Sequence, residues 1–128
     1  MTRGLADTTV FIARESGRAL DEGALPEEIS VSVITIGELR AGVLAADEVE
    51  TRDRRLATLI QALMMEPVPI DGRVADNWAT LRLRLRDNGQ RMPVNDSWIA
   101  ATAMSLGVPV VTQDNDYVVV DGLHVILV

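Results

Sequence analysis

The sequence predicts a three-layer α/β domain built on a mainly parallel sheet of about five strands. Three observations carry that prediction. Short β-branched segments alternate with longer ones whose apolar residues recur at helical spacing, the pattern of repeated strand–helix units. One strand candidate, "VPVVT" at 108–112, is largely apolar without alternation, as a strand covered on both faces must be. Acidic residues stand just beyond several strand candidates, and open parallel sheets bind ligands at the carboxyl ends of their strands, where strand order switches.

The elements follow in order. Residues 4–7 of "GLADTTVFIA" read as a first strand that runs into a helix, and the β-branched, alternating "ISVSV" (29–33) as a second. "TIGELRAGVLAA" is helical, and Thr35 with Glu38 has the S/T-x-x-E spacing of a capping box. In "RRLATLIQALM", Leu56, Leu59, Ile60 and Leu63 fall at i, i+3, i+4 and i+7, which defines an amphipathic helix. "EPVPID" (66–71) is expected as a third strand, marked by proline as an edge. "LRLRLR" (81–86) alternates like a strand, but Val74, Trp78, Leu81 and Leu85 set a helical period and Arg and Leu are good helix formers. After the turn-rich "DNGQRMP" (87–93) comes the helix "NDSWIAATAMSLG", with Asn95 as its expected cap and Gly107 as its stop. "VPVVT" is the fourth strand and "HVILV" (124–128) the fifth. With no repeat, linker or low-complexity stretch, residues 1–128 read as one domain.

Composition narrows the chemistry. With 128 residues, 48% of them apolar, the chain can bury a core without staples. The absence of Cys excludes disulfides and thiolate metal sites. The N-terminal stretch lacks the apolar segment of a signal peptide and no run approaches a membrane span, so a cytoplasmic protein with no membrane association is expected. The net charge of -7 weighs against a polyanionic partner, yet all 12 basic residues are Arg, which grips phosphate bidentately. The lack of Lys argues against receiver-like phosphoacceptors and haloacid-dehalogenase-like phosphatases, both of which ordinarily use one. Neither G-x-G-x-x-G nor a P-loop is present.

The acids remain to be explained. Asp7 interrupts an apolar segment that should be buried, and a buried acid needs partners. Glu38, taken alone, is the capping-box partner of Thr35; Asp96 is a first-turn acid complementing a helix dipole; Asp114 and Asp116 in "VVTQDNDYVVV" are turn residues. Together, however, they gather at one edge of the predicted sheet. A divalent cation is the simplest compensation, since Mg²⁺ and Mn²⁺ take carboxylate oxygens and a pair of such ions can promote phosphodiester cleavage.

The segments "ADTTVFIA", "TIGELRAG" and "PVNDSWIAATAMSLGVPVVTQDNDY" resemble those of PIN-domain ribonucleases, in particular the VapC toxins of toxin–antitoxin pairs. The T-x-D-x-D turn that follows acid, helix and strand in the third segment is the specific part, and the similarity spans nearly the whole chain. The resemblance implies a PIN-like fold and an endoribonuclease dependent on one or two Mg²⁺ (or Mn²⁺) ions, which hydrolyses RNA phosphodiesters through metal-activated water. It implies an RNA substrate, a cognate antitoxin and a homodimer. Carried over by position, Asp7, Glu38, Asp96 and Asp114 form the catalytic acidic quartet, and Asp116 matches a further, less uniform metal ligand. Asp7, Asp96 and Asp114 would hold the principal ion; Glu38 and Asp116 would hold a second or orient water. Thr8 and Thr112 are candidate hydroxyls that orient these groups, with ordinary strand-end bonding as the alternative. His124 is read as structural. The competing function is a catalytically silent PIN-like interaction module. The apolar surplus of Leu56, Leu59, Ile60, Leu63, Met64 and Met65 serves either the core, a dimer face or an antitoxin groove.

Overall fold

A computed structural model describes all 128 residues. The elements run β1 (Arg3–Ala6), α1 (Thr8–Glu15), β2 (Glu28–Val31), α2 (Val33–Ala45), α3 (Val49–Leu63), α4 (Gly72–Asp87), α5 (Val94–Leu106), β3 (Val110–Thr112) and β4 (Val125–Leu127). All strand pairs are parallel, in the order β2-β1-β3-β4. Strand alternation divides the core between two faces. Leu5 and Val110 point into a cluster with Leu81, Leu85 and Ile99 of α4 and α5, while Ala6, Val31 and Val111 point into another with Val10, Leu39 and Leu59 of α1–α3. The three-layer α/β expectation is met. Close packing is visible at Gly4, where a Cβ would lie 2.6 Å from Val111 Cγ2 and 2.9 Å from Pro26 Cγ, so glycine lets these two side chains pack directly on the β1 backbone.

The sheet grows outward from β1 in both directions, first to β2 and, after four helices, back to β3. The order therefore switches between β1 and β3, and their carboxyl ends flank the crevice where such sheets bind ligands. No helix is long and apolar enough to cross a membrane.

Three local expectations are corrected. The sheet has four strands, because "EPVPID" contributes a single parallel bridge, Val68 to Ser32. Val68 donates to Val31 O at 2.8 Å and accepts from Val33 N at 3.1 Å, while Pro67 and Pro69 on either side have no N–H to extend the ladder. Thr35 is not a cap. α2 begins earlier, capped by Ser32, whose side chain accepts from Ile34 N at 3.1 Å, and Thr35 is fully buried in the first turn. Asn95 is likewise not a cap, because it lies inside α5, whose cap position is held by Pro93 with no side-chain cap hydrogen bond. Gly107 does end α5, in the left-handed conformation at φ 67°.

Leu59 is fully buried, but Ile60, Leu63, Met64 and Met65 are exposed. The apolar surplus of α3 thus lies at the surface. Next to it a groove of about 460 Å³ between α1, α3 and β2 is lined by Val10, Phe11, Leu25, Ile29 and Met65, with Arg14 and Arg54 at its rim.

Candidate metal centre

The switch between β1 and β3 is where the acids meet. Asp7 follows β1 directly and caps α1, its Oδ1 accepting from Thr9 N at 3.0 Å and Thr9 Oγ1 at 2.5 Å. Its Oδ2 accepts from Thr112 Oγ1 at 2.6 Å and Tyr117 OH at 3.1 Å. Four donors thus compensate a carboxylate that is only 2% exposed. Burial still dominates, holding its pKa above the usual carboxylate value against the opposing pull of those hydrogen bonds.

Thr112, the buried last residue of β3, organises the other side. Its oxygen accepts from Asp114 N at 2.9 Å, and Asp114 Oδ1 accepts in turn from Asp116 N at 3.1 Å. These consecutive i to i+2 side-chain turns are the physical content of T-x-D-x-D: each hydroxyl or carboxylate fixes the backbone that presents the next acid. Across the crevice, the first turn of α5 carries Asp96. Carboxylate oxygens of Asp96, Asp114 and Asp116 lie within 4.8 Å of one another.

Glu38 projects from α2 and accepts from Thr8 Oγ1 at 2.7 Å, with Thr35 Oγ1 3.1 Å from the same hydroxyl. Thr8 and Thr112 therefore both bond carboxylates of the cluster. The tight trio contains Asp116, while Asp7 and Glu38 stand outside it. The other four acids all act on Asp96, whose pKa rises from 3.8 to about 6, through burial first and then through Asp7, Asp114, Glu38 and Asp116. The Asp116 carboxyl is also raised, chiefly by Asp114. Tyr117 is pushed above the ordinary phenol value by burial and by Asp7, so it stays a neutral donor.

No arginine relieves this repulsion. The ion pairs of the chain join Arg3 to Glu28, Arg14 to Glu22 and Arg86 to Asp87, all at the surface. Hard carboxylate oxygens converging without an internal cation fit Mg²⁺ or Mn²⁺, and the only histidine, His124, is exposed beside β4. The sequence did not point to Thr9 or Tyr117, and it offered Thr35 only as a cap. The one available signal was Thr9 at the second helical position after an acidic cap, since Tyr117 and Asp7 lie 110 residues apart.

A pH dependence follows from the raised carboxyls. Between the ordinary value of 3.8 and the folded value of about 6, the folded protein holds a proton on Asp96 that the unfolded chain has released. Metal-free protein is therefore expected to lose stability as pH rises from about 4 to about 6, with Asp7 and Asp116 acting in the same direction. Chemical denaturation in chelator across this range checks the sign, and a rise in stability would contradict it.

Residues 5–123 match the PIN domain model. The chain belongs to the PIN-domain family. Among PIN-domain relatives, Ribonuclease VapC5 of Mycobacterium tuberculosis (strain ATCC 25618 / H37Rv) is 50% identical over 119 residues, covering 93% of this chain and 88% of that protein. Ribonuclease VapC4 of the same strain is 47% identical over 126 residues, covering 98% and 97%. Among solved PIN-domain structures, a member of the VapBC family of toxin–antitoxin systems, VapBC-5 from Mycobacterium tuberculosis, superposes with a TM-score of 0.91 at 43% identity, covering 100% of both chains. These relatives place the chain in the VapC branch of the PIN-domain family.

Proposed function

We propose that this chain is a Mg²⁺- or Mn²⁺-dependent endoribonuclease, the toxin of a type II toxin–antitoxin pair, acting in the cytoplasm as a single domain of residues 1–128. The observation that carries the reading is the meeting of Asp7, Glu38, Asp96, Asp114 and Asp116 at the sheet's switch point with no arginine among them. Its similarity to proteins named Ribonuclease VapC supports RNA as the substrate.

In this reading Asp96, Asp114 and Asp116 hold the principal ion, and Asp7 and Glu38 complete the catalytic set around one or two ions. When bound, the metal would supply Lewis-acid polarisation of the phosphodiester and a water nucleophile at neutral pH. The chain's own residues fix where this happens. Thr9, Thr112 and Tyr117 lock Asp7, Thr8 holds Glu38, and the α5 first turn aims Asp96 across the crevice at Asp114. A cognate antitoxin is the partner, and the groove between α1, α3 and β2 beside the exposed Leu63, Met64 and Met65 suits an amphipathic segment of it; a homodimer is part of the same proposal.

Purified protein incubated with cellular RNA is expected to cut it with Mg²⁺ or Mn²⁺ and to leave it intact in chelator. Cutting that survives chelation would remove the metal from the proposal. Absence of cutting with either ion would leave only an interaction module.

A further inference from the structure

We propose that a cleft formed by Arg82, Arg86 and Arg91 at the junction of α4 and α5 grips the phosphate backbone of RNA. The idea rests on the nuclease reading and adds to it a docking surface outside the acidic crevice. A chain of net charge -7 whose site bears five carboxylates repels RNA, so productive docking requires positive charge concentrated in one place. Four of the 12 arginines fall within residues 82–91. Three of them, with Gln90, line a cleft of about 380 Å³ over the buried Leu85 and Met92.

These guanidiniums are free to bind. Arg82 and Arg91 have no carboxylate partner, and Arg86 meets only Asp87 at 3.6 Å, with both side chains largely in solvent, where such a pair is weak. Arg84 is committed elsewhere, donating to Asp121 O at 2.5 Å. Planar guanidiniums flanked by an amide are suited to bidentate phosphate contacts.

The cleft is also tied to the site. The Arg82 guanidinium lies 5.5 Å from the centroid of the Trp78 ring, which stacks on Trp98 at 4.3 Å and 3°. Trp78 Nε1 donates to Ser97 Oγ at 3.0 Å, and Ser97 is the neighbour of Asp96. The stack thus joins the arginine face of α4 to the turn of α5 that bears Asp96. Along the chain Arg91 precedes Asp96 by five residues, a reach of at most about 18 Å. Phosphates a few nucleotides from the scissile bond fall within that span.

The test measures the affinity of the full chain for a fluorescein-labelled RNA hairpin, in chelator to prevent cutting, as salt rises from about 50 to about 200 mM. The Arg82→Gln/Arg86→Gln/Arg91→Gln variant is expected to bind about 10- to 100-fold more weakly at the lower salt and to lose about 2 to 3 from the slope of log Kd against log salt. A control, Arg3→Gln/Arg18→Gln/Arg73→Gln, changes net charge equally at sites away from the cleft and should change the slope by less than about 1. Thermal melts verify that both variants fold. Equal effects of the two variants, or an unchanged slope in the first, would overturn the cleft's role. Cleavage of a trinucleotide by the wild type with Mn²⁺ separates the two readings. If it is cut while the cleft variant binds the hairpin normally, the cleft alone fails; if the wild type neither binds nor cuts RNA, the nuclease reading and the cleft's role fall together.

Discussion

Asp96→Asn is expected to lower RNA cleavage by more than about 100-fold while making the metal-free protein more stable. The size of the first effect follows from position. Losing a group that merely orients a metal ligand costs about 10- to 100-fold, and in the proposed arrangement Asp96 is itself a ligand, facing Asp114 and Asp116. The second effect follows from its pKa. A shift from 3.8 to about 6 corresponds to about 3 kcal/mol of unfavourable environment for the ionised form. Solvent screening of a half-buried carboxylate reduces this to about 1–2 kcal/mol. The α5 amino terminus loses a favourable negative charge, which offsets about 0.5 kcal/mol. A net gain of about 1 kcal/mol at pH 7 remains. The decline in stability between about pH 4 and pH 6 should flatten at the same time, and the variant's melting temperature should no longer rise with Mn²⁺. Retained activity, or a large destabilisation in chelator, would make Asp96 a structural acid and contradict the proposed centre.

The five acids were legible in the sequence because each occupies a position that the α/β pattern itself locates. Asp7 follows a strand, Glu38 sits on the helix after β2, Asp96 lies in the first turn of its helix, and Asp114 and Asp116 follow the buried strand. Parallel pairing then converges them, and no local spacing needed to encode their meeting. What orders them was less legible. Of the donors to Asp7, Thr112 stands out in the sequence as the first residue of T-x-D-x-D, whereas Thr9 does not, and Tyr117 lies 110 residues away, a separation that leaves no periodicity. Thr35 with Glu38 illustrates the opposite error. The spacing is right for a capping box, but Ser32 stands at the true helix start, leaving Glu38 for Thr8. "EPVPID" misled for a related reason: its apolar residues fit a strand, but flanking prolines leave only Val68 able to pair on both sides.

Thr112→Val should test the ordering network directly, with an expected loss of about 2–4 kcal/mol in stability and about 10- to 100-fold in cleavage. Valine keeps the shape of threonine in a fully buried position, so packing changes little. What disappears is one donor to Asp7 Oδ2 at 2.6 Å and one acceptor for Asp114 N at 2.9 Å. A hydrogen bond to a charged group contributes about 1.5–3 kcal/mol, and the freed Asp114 amide adds up to about 1 more. With one opposing donor gone, burial pushes the Asp7 carboxyl higher still. The damage should therefore be larger at neutral pH than in acid, because protonation of Asp7 in the folded state removes the charge whose partner was lost. Thr112→Ser, which keeps the hydroxyl, should restore most of both activity and stability. If valine instead behaves like the wild type at neutral pH, Asp7 and Asp114 do not depend on this hydroxyl for their geometry. If serine fails as badly as valine, the threonine methyl and not its hydrogen bonds explains the residue.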